Sequence, residues 1–87
     1  MMYRIIYSAR ANSDAKKIRK SYLKTHCKIL LEIIRVDPYQ NPPPYEKLHG
    51  DLGGLYSRRI NSQHRLVYEV DEKAKIVKVH KIWTHYE

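Results

Sequence analysis

Glu46, Arg59, Arg65 and His85 are the residues of this chain whose types and spacing could do chemistry. A carboxylate can take a proton from a hydroxyl, and an imidazole can return one to a leaving oxygen. Guanidiniums between them can hold a phosphate while negative charge builds on it. Such a group is the minimum needed to cut RNA without a metal. The base removes the 2′-OH proton, the oxygen attacks the adjacent phosphorus, and the acid protonates the departing 5′ oxygen. No cofactor is expected. No ligand spacing reads as a metal site either: His80 and His85 are five apart on an expected strand, which puts them on opposite faces.

The same residues have plainer readings. A glutamate in a loop is usually solvated. An arginine on a strand usually pairs with a carboxylate, and Asp51, Glu69 and Asp71 are near in sequence. On the residues alone, a basic domain that binds nucleic acid without cutting it stands beside a nuclease.

Composition points the same way. Seventeen Lys and Arg against nine Asp and Glu leave a net charge of +8 on 87 residues. That balance implies a polyanionic partner, either nucleic acid or an acidic protein; a basic protein with no specific anion is the bland alternative. Cys27 is the only cysteine, which excludes an intrachain disulfide and a cysteine-rich metal site. No stretch approaches the ~18 apolar residues of a membrane span, and Met1–Arg4 does not open a signal peptide. A cytoplasmic protein without a membrane partner is expected. Eight Tyr, one Trp and no Phe suit surfaces that stack on bases, although a half-wet core would use tyrosine too.

The elements that must position these groups follow from periodicity. Tyr3–Tyr7 is rich in β-branched and aromatic residues and reads as a strand. Ser8 can cap a helix whose inner face is Ala11, Ala15, Ile18 and Tyr22, with Lys16, Lys17, Arg19 and Lys20 outside. Thr25 can cap a second helix with Cys27, Leu30, Leu31 and Ile34 inward and Ile29, Ile33 and Val36 widening that face. Asp37-Pro38 ends it. Residues 39–54, with prolines at 42, 43 and 44, read as a stiff loop that presents Glu46 and His49 beside the sheet. Strands near 55–60 and 64–71 flank a turn at Asn61-Ser62-Gln63, and a last strand runs over 75–83.

The order β-α-α-β-β-β predicts an α+β fold, one domain over 1–87, with two helices packed on a mainly antiparallel sheet. Alternation puts Arg59 with Leu55 and Ser57, and Arg65 with Val67 and Glu69. It also puts Val77, Val79, Lys81 and Trp83 on one face, with His85 following. Arg59, Arg65 and His85 converge if the register permits.

Three stretches also resemble a known family. They are Glu46-Lys47-Leu48; Leu52-Gly53-Gly54-Leu55-Tyr56-Ser57-Arg58-Arg59-Ile60; and His64-Arg65-Leu66-Val67-Tyr68 with the terminal His85-Tyr86. Together they are similar to the YoeB/Txe toxins of bacterial toxin–antitoxin systems, within the wider RelE-like group. The likeness is closest over 46–86 and looser before that.

It implies a microbial-RNase-like fold and a ribosome-dependent mRNA endoribonuclease that stops translation. It implies a cognate antitoxin as partner, operator DNA only through the antitoxin complex, and a homodimer. By position it makes Glu46 the general base, His85 the general acid and Arg65 the group that stabilises the transition state. Arg59 helps to hold the phosphate and Tyr86 orients the substrate. Arg58 is expected to serve a neighbouring phosphate or the antitoxin.

Three positions depart from the family. His49 replaces a usual lysine, Gln63 a usual acid, and Glu87 adds a carboxylate after Tyr86. The alternatives are a non-catalytic toxin on the same scaffold, or a module that binds RNA or antitoxin without cutting.

Overall fold

Local signals build most of the frame. A computed structural model describes residues 2–48 and 54–82. Strand β1 spans Arg4–Tyr7, helix α1 Ala9–Arg19 and helix α2 Lys24–Val36; strands β2 (Glu46–Lys47), β3 (Leu55–Arg59), β4 (Arg65–Asp71) and β5 (Ile76–Lys81) follow. They form a mixed sheet in the order β1-β5-β4-β3-β2, in which β1 runs parallel to β5 and every other pair is antiparallel. The expected α+β arrangement holds, with β2 added inside the stretch read as loop. Two residues are too few to show a period, so β2 is visible only through its pairing. Among the described residues no helix is long and apolar enough to cross a membrane.

Ser8 caps α1 as expected. Its Oγ accepts from the Ala11 N–H at 3.0 Å and donates to the His80 carbonyl at 2.9 Å. The helix therefore starts locked to β5. It stops at Arg19, so Tyr22, expected on the inner face, is 86% exposed. Leu23 takes the core position instead. That choice also overrides the expected Thr25 cap: α2 begins at Lys24, with Leu23 at its N-cap and no side-chain cap bond. Burying a leucine outweighs a cap of about 1 kcal/mol. Asp37 is extended and ends α2 before Pro38, as read from sequence.

The apolar face of α2 is narrower than its sequence suggests. Cys27, Leu30 and Ile34 are buried, whereas Ile29 and Val36 are exposed. The core lies between these helices and one face of the sheet, where Leu66, Tyr68, Val77, Val79 and Ile82 point. Inside it, the buried Asp14 carboxylate accepts the Ile82 N–H at 3.1 Å and ties α1 to the end of β5.

One irregularity changes which residues share a face. Tyr68 pairs with Val79, but Val67 pairs with Lys81, so His80 is an extra residue in β5. Alternation resets there. Ile82 joins Val77 and Val79 in the core, and Lys81, expected with them, stands opposite Val67 on the second face.

The loop before β2 is held by side chains. Arg58 donates through Nε to the Tyr68 hydroxyl at 3.1 Å, through Nη1 to the Pro43 carbonyl at 2.7 Å, and through Nη2 to the carbonyls of Pro38 and Gln40 at 3.1 and 2.9 Å. Its guanidinium also lies 5.0 Å from the Tyr45 ring centre. Tyr56 meets Tyr39, Tyr45 and Tyr68 at ring distances of 5.6–5.7 Å. In place of an extended proline run, the Asn41–Pro42 and Pro42–Pro43 bonds are cis.

Further out, the Glu72 carboxylate accepts from Tyr39, Tyr3 and Lys75 at 2.6, 2.9 and 3.0 Å. The bond from Tyr39, then those from Lys75 and Tyr3, hold its carboxyl at about 2.

Two outcomes are expected. Arg58→Met should lower unfolding stability by about 3 kcal/mol in urea titrations, because it removes the donor of the Gln40 and Pro43 carbonyls and leaves a hole in the packing, while the Pro38 carbonyl keeps the Tyr68 hydroxyl. Arg58→Lys should restore little, since one ammonium cannot span those acceptors. For Glu72, ionisation favours the folded state, because its carboxyl sits below the 4.5 of an unstructured glutamate. Its contribution is complete above pH 4.5 and is lost as pH falls toward 2. The Tm gap between the wild type and Glu72→Gln should therefore be widest near neutrality and close across that window. A gap that does not vary with pH would contradict the role given to Glu72.

Candidate active site

Alternation in the hairpin sorts its arginines. In β3, Leu55, Ser57 and Arg59 share the second face of the sheet, while Tyr56 and Arg58 turn toward the core and the proline loop. In β4, Arg65 and Val67 share the face of Ser57 and Arg59, since Arg59 pairs with Arg65 and Ser57 with Val67. Strand β2 adds Glu46, which pairs with Ser57. Leu48 donates its N–H to the Leu55 carbonyl at 2.9 Å and extends that contact past β2. Glu46, Ser57, Arg59 and Arg65 thus meet from three strands.

Their contacts are direct. Arg65 Nη1 donates to Glu46 Oε1 at 3.0 Å and to Ser57 Oγ at 3.4 Å. The Arg65 side chain is 22% exposed and that of Glu46 67%, so the pair sits at the mouth of the site with the guanidinium deeper. With Pro44 and Tyr45 as walls, these residues line a recess of about 330 Å³. Arg59 stands exposed at its edge, with no carboxylate in ion-pair contact among the described residues. Two guanidiniums directly opposite one another repel, and Glu46 faces only one of them. The recess is therefore suited to an anion. A carboxylate and two arginines there can accept a proton and stabilise charge on a phosphate.

A second cleft of about 350 Å³ lies between the helices, lined by Ile18, Cys27, Leu31 and Ile82 with Arg19, Lys24 and Lys28. Among the described residues it is lined by no carboxylate or imidazole.

The site residues read from sequence fare differently. Glu46, Arg59 and Arg65 are brought together. Arg58 is not. It was expected to serve a phosphate or an antitoxin, but it is 1% exposed and spends its donors on the protein's own oxygens. His49, His85 and Tyr86 lie outside the described residues. Ser57 was given no role, yet its hydroxyl is buried against Arg65. The signal was available, because it lies two residues before Arg59 and so shares its face.

The geometry can be set beside known proteins. A model of the YoeB-like toxins of bacterial type II toxin–antitoxin systems matches residues 7–86. The toxin YoeB of Synechocystis is 39% identical over 49 residues, which cover 56% of this chain and 57% of that protein. This chain thus aligns with little more than half the length of that relative. The YoeB–YefM complex from Staphylococcus aureus superposes with a TM-score of 0.81 at 34% identity, covering 99% of this chain and 100% of that one. A YoeB/ParE toxin from Agrobacterium tumefaciens gives a TM-score of 0.87 at 24% identity, over 95% of this chain and 99% of the other, and speaks for the fold alone. With the match over 7–86, this chain belongs to the family of YoeB-like toxins of bacterial type II toxin–antitoxin systems.

Proposed function

We propose that this toxin is a metal-independent endoribonuclease that cuts mRNA on the ribosome and so stops translation. The observation that carries the reading is the Glu46–Arg65 contact at 3.0 Å, in a recess shared with Arg59. Glu46 takes the proton of a 2′-OH. The freed oxygen attacks the adjacent phosphorus, and Arg65 and Arg59 offset the charge that develops on the phosphate oxygens. His85 gives a proton to the departing 5′ oxygen, and Tyr86 orients the nucleotide. The products are a 2′,3′-cyclic phosphate and a 5′-hydroxyl. Ser57 holds Arg65 in place, and His49 adds a titratable cation where the family resemblance has a lysine.

The partners follow from the relatives. The S. aureus YoeB has been solved with YefM and as a dimer. We assign this chain a cognate antitoxin, whose acidic groups would answer the +8 net charge, and a homodimeric form. The work of the toxin is in the cytoplasm, where ribosomes and mRNA are.

Glu46→Gln, Arg65→Ala and His85→Gln should each cut mRNA cleavage by about 100-fold or more, with folding unchanged by circular dichroism. Arg59→Ala should lose less, because it stands at the rim. Primer extension on programmed ribosomes reads the cuts, and growth arrest without antitoxin reads the consequence. If all three variants stayed fully toxic, this chemistry would be wrong. Binding to ribosomes with no cut products from the wild type would make the chain an RNA-binding module.

A further inference from the structure

The extra residue in β5 has a consequence for substrate binding. The pairings Glu46–Ser57, Ser57–Val67 and Val67–Lys81 draw one line across β2, β3, β4 and β5. Residues paired in this way share a face. Lys81 therefore belongs to the line that begins with the proposed base. If His80 were paired regularly and not bulged, Lys81 would face the helices with Val77 and Val79. It is partly exposed. Its neighbours on this face are Arg65 and Val67 on β4, then Glu69, Lys78 and His80. The Glu69 carboxylate is already taken by His80 Nε2 at 2.6 Å, and no ion pair engages Lys81 among the described residues.

Position along the line gives Lys81 a side of the reaction. In a phosphoryl displacement the attacking and leaving oxygens lie roughly in line through phosphorus. Glu46 marks the attacking side. Arg65 is on β4, two strands from β2, and Lys81 is on β5, one strand spacing of about 4.8 Å further on. The leaving 5′ oxygen and the nucleotide attached to it therefore extend over β5.

We propose that Lys81 binds the first backbone phosphate 3′ of the scissile one, as a contact that is blind to base sequence. This rests on the reading of Glu46 as base and Arg65 as phosphate ligand. A lysine suits the task because a single flexible ammonium follows a phosphate without demanding a fixed angle. The contact should matter for substrate affinity and little for the chemical step.

The test uses the full chain carrying Glu46→Gln, so that a short single-stranded RNA is bound and not cut. Binding is measured across salt concentrations with and without Lys81→Ala. The expected result is binding weakened about 3- to 10-fold at low salt, with the salt slope smaller by about 0.7, the value for one phosphate contact on a single strand. Lys81→Arg should restore both. The second arm replaces that one phosphate by a neutral methylphosphonate. It should weaken the Lys81 protein and leave the Lys81→Ala protein unaffected.

Equal sensitivity of both proteins to the methylphosphonate, or an unchanged salt slope, would overturn the assignment. So would a loss confined to antitoxin binding. On programmed ribosomes, in the otherwise wild-type protein, Lys81→Ala should raise KM and spare kcat. If the wild type itself cuts no mRNA on programmed ribosomes, the fault lies in the proposed function and not in Lys81.

Discussion

Arg58 carries a permanent charge into the interior, and the rest of the structure is arranged to accept it. A guanidinium offers several donors in a rigid plane and cannot shed its proton. Inside a protein it needs either a carboxylate or enough oriented dipoles. Here the dipoles come from the carbonyls of Pro38, Gln40 and Pro43 and the hydroxyl of Tyr68. The match runs both ways. Prolines have no N–H, so residues 38–44 can make few internal hydrogen bonds and must find donors elsewhere. The charge and the loop satisfy each other. Glu46 comes three residues after Pro43, on a strand too short to fix its own place. Its position at Arg65 depends on that anchor.

The hairpin thus makes two uses of one residue type. Inside, an arginine gathers oxygens from its own chain and gives order. Outside, Arg59 and Arg65 stand opposite one another, where like charges cost stability. Glu46 relieves Arg65, and Arg59 is exposed with no carboxylate in ion-pair contact among the described residues. Such an arrangement is a poor choice for a scaffold and a good one for a surface that waits for an anion. Ser57 fits the same logic, since a small hydroxyl beneath Arg65 leaves room for the guanidinium and gives it a partner.

Much of this was legible in the sequence wherever the deciding forces are local. The Ser8 cap, the stop at Asp37-Pro38 and the turn between β3 and β4 follow from neighbours a few residues apart. Arg59 and Arg65 share a face because strand side chains alternate. What failed was decided by tertiary contacts. Tyr22 and Thr25 lost their expected roles once Leu23 entered the core. Alternation alone would separate Arg58 from Arg59, but charge argued for putting it outside. The carbonyls that hold it come from a loop 15 to 20 residues earlier in the chain. The pairing that makes Glu46 a strand residue has no period to read.

His80 shows how much one residue can decide in a strand. A β-strand has only two settings, and the added residue moves β5 from one to the other part-way along. Before it, Val77 and Val79 serve the hydrophobic interior; after it, Ile82 does so, and Lys81 is released to the opposite side. Substitution at position 80 would leave that phase intact. Regular pairing through His80, with no bulge, would invert it, burying an ammonium and exposing an isoleucine. The bulge is therefore a stricter requirement than the identity of the residue that forms it.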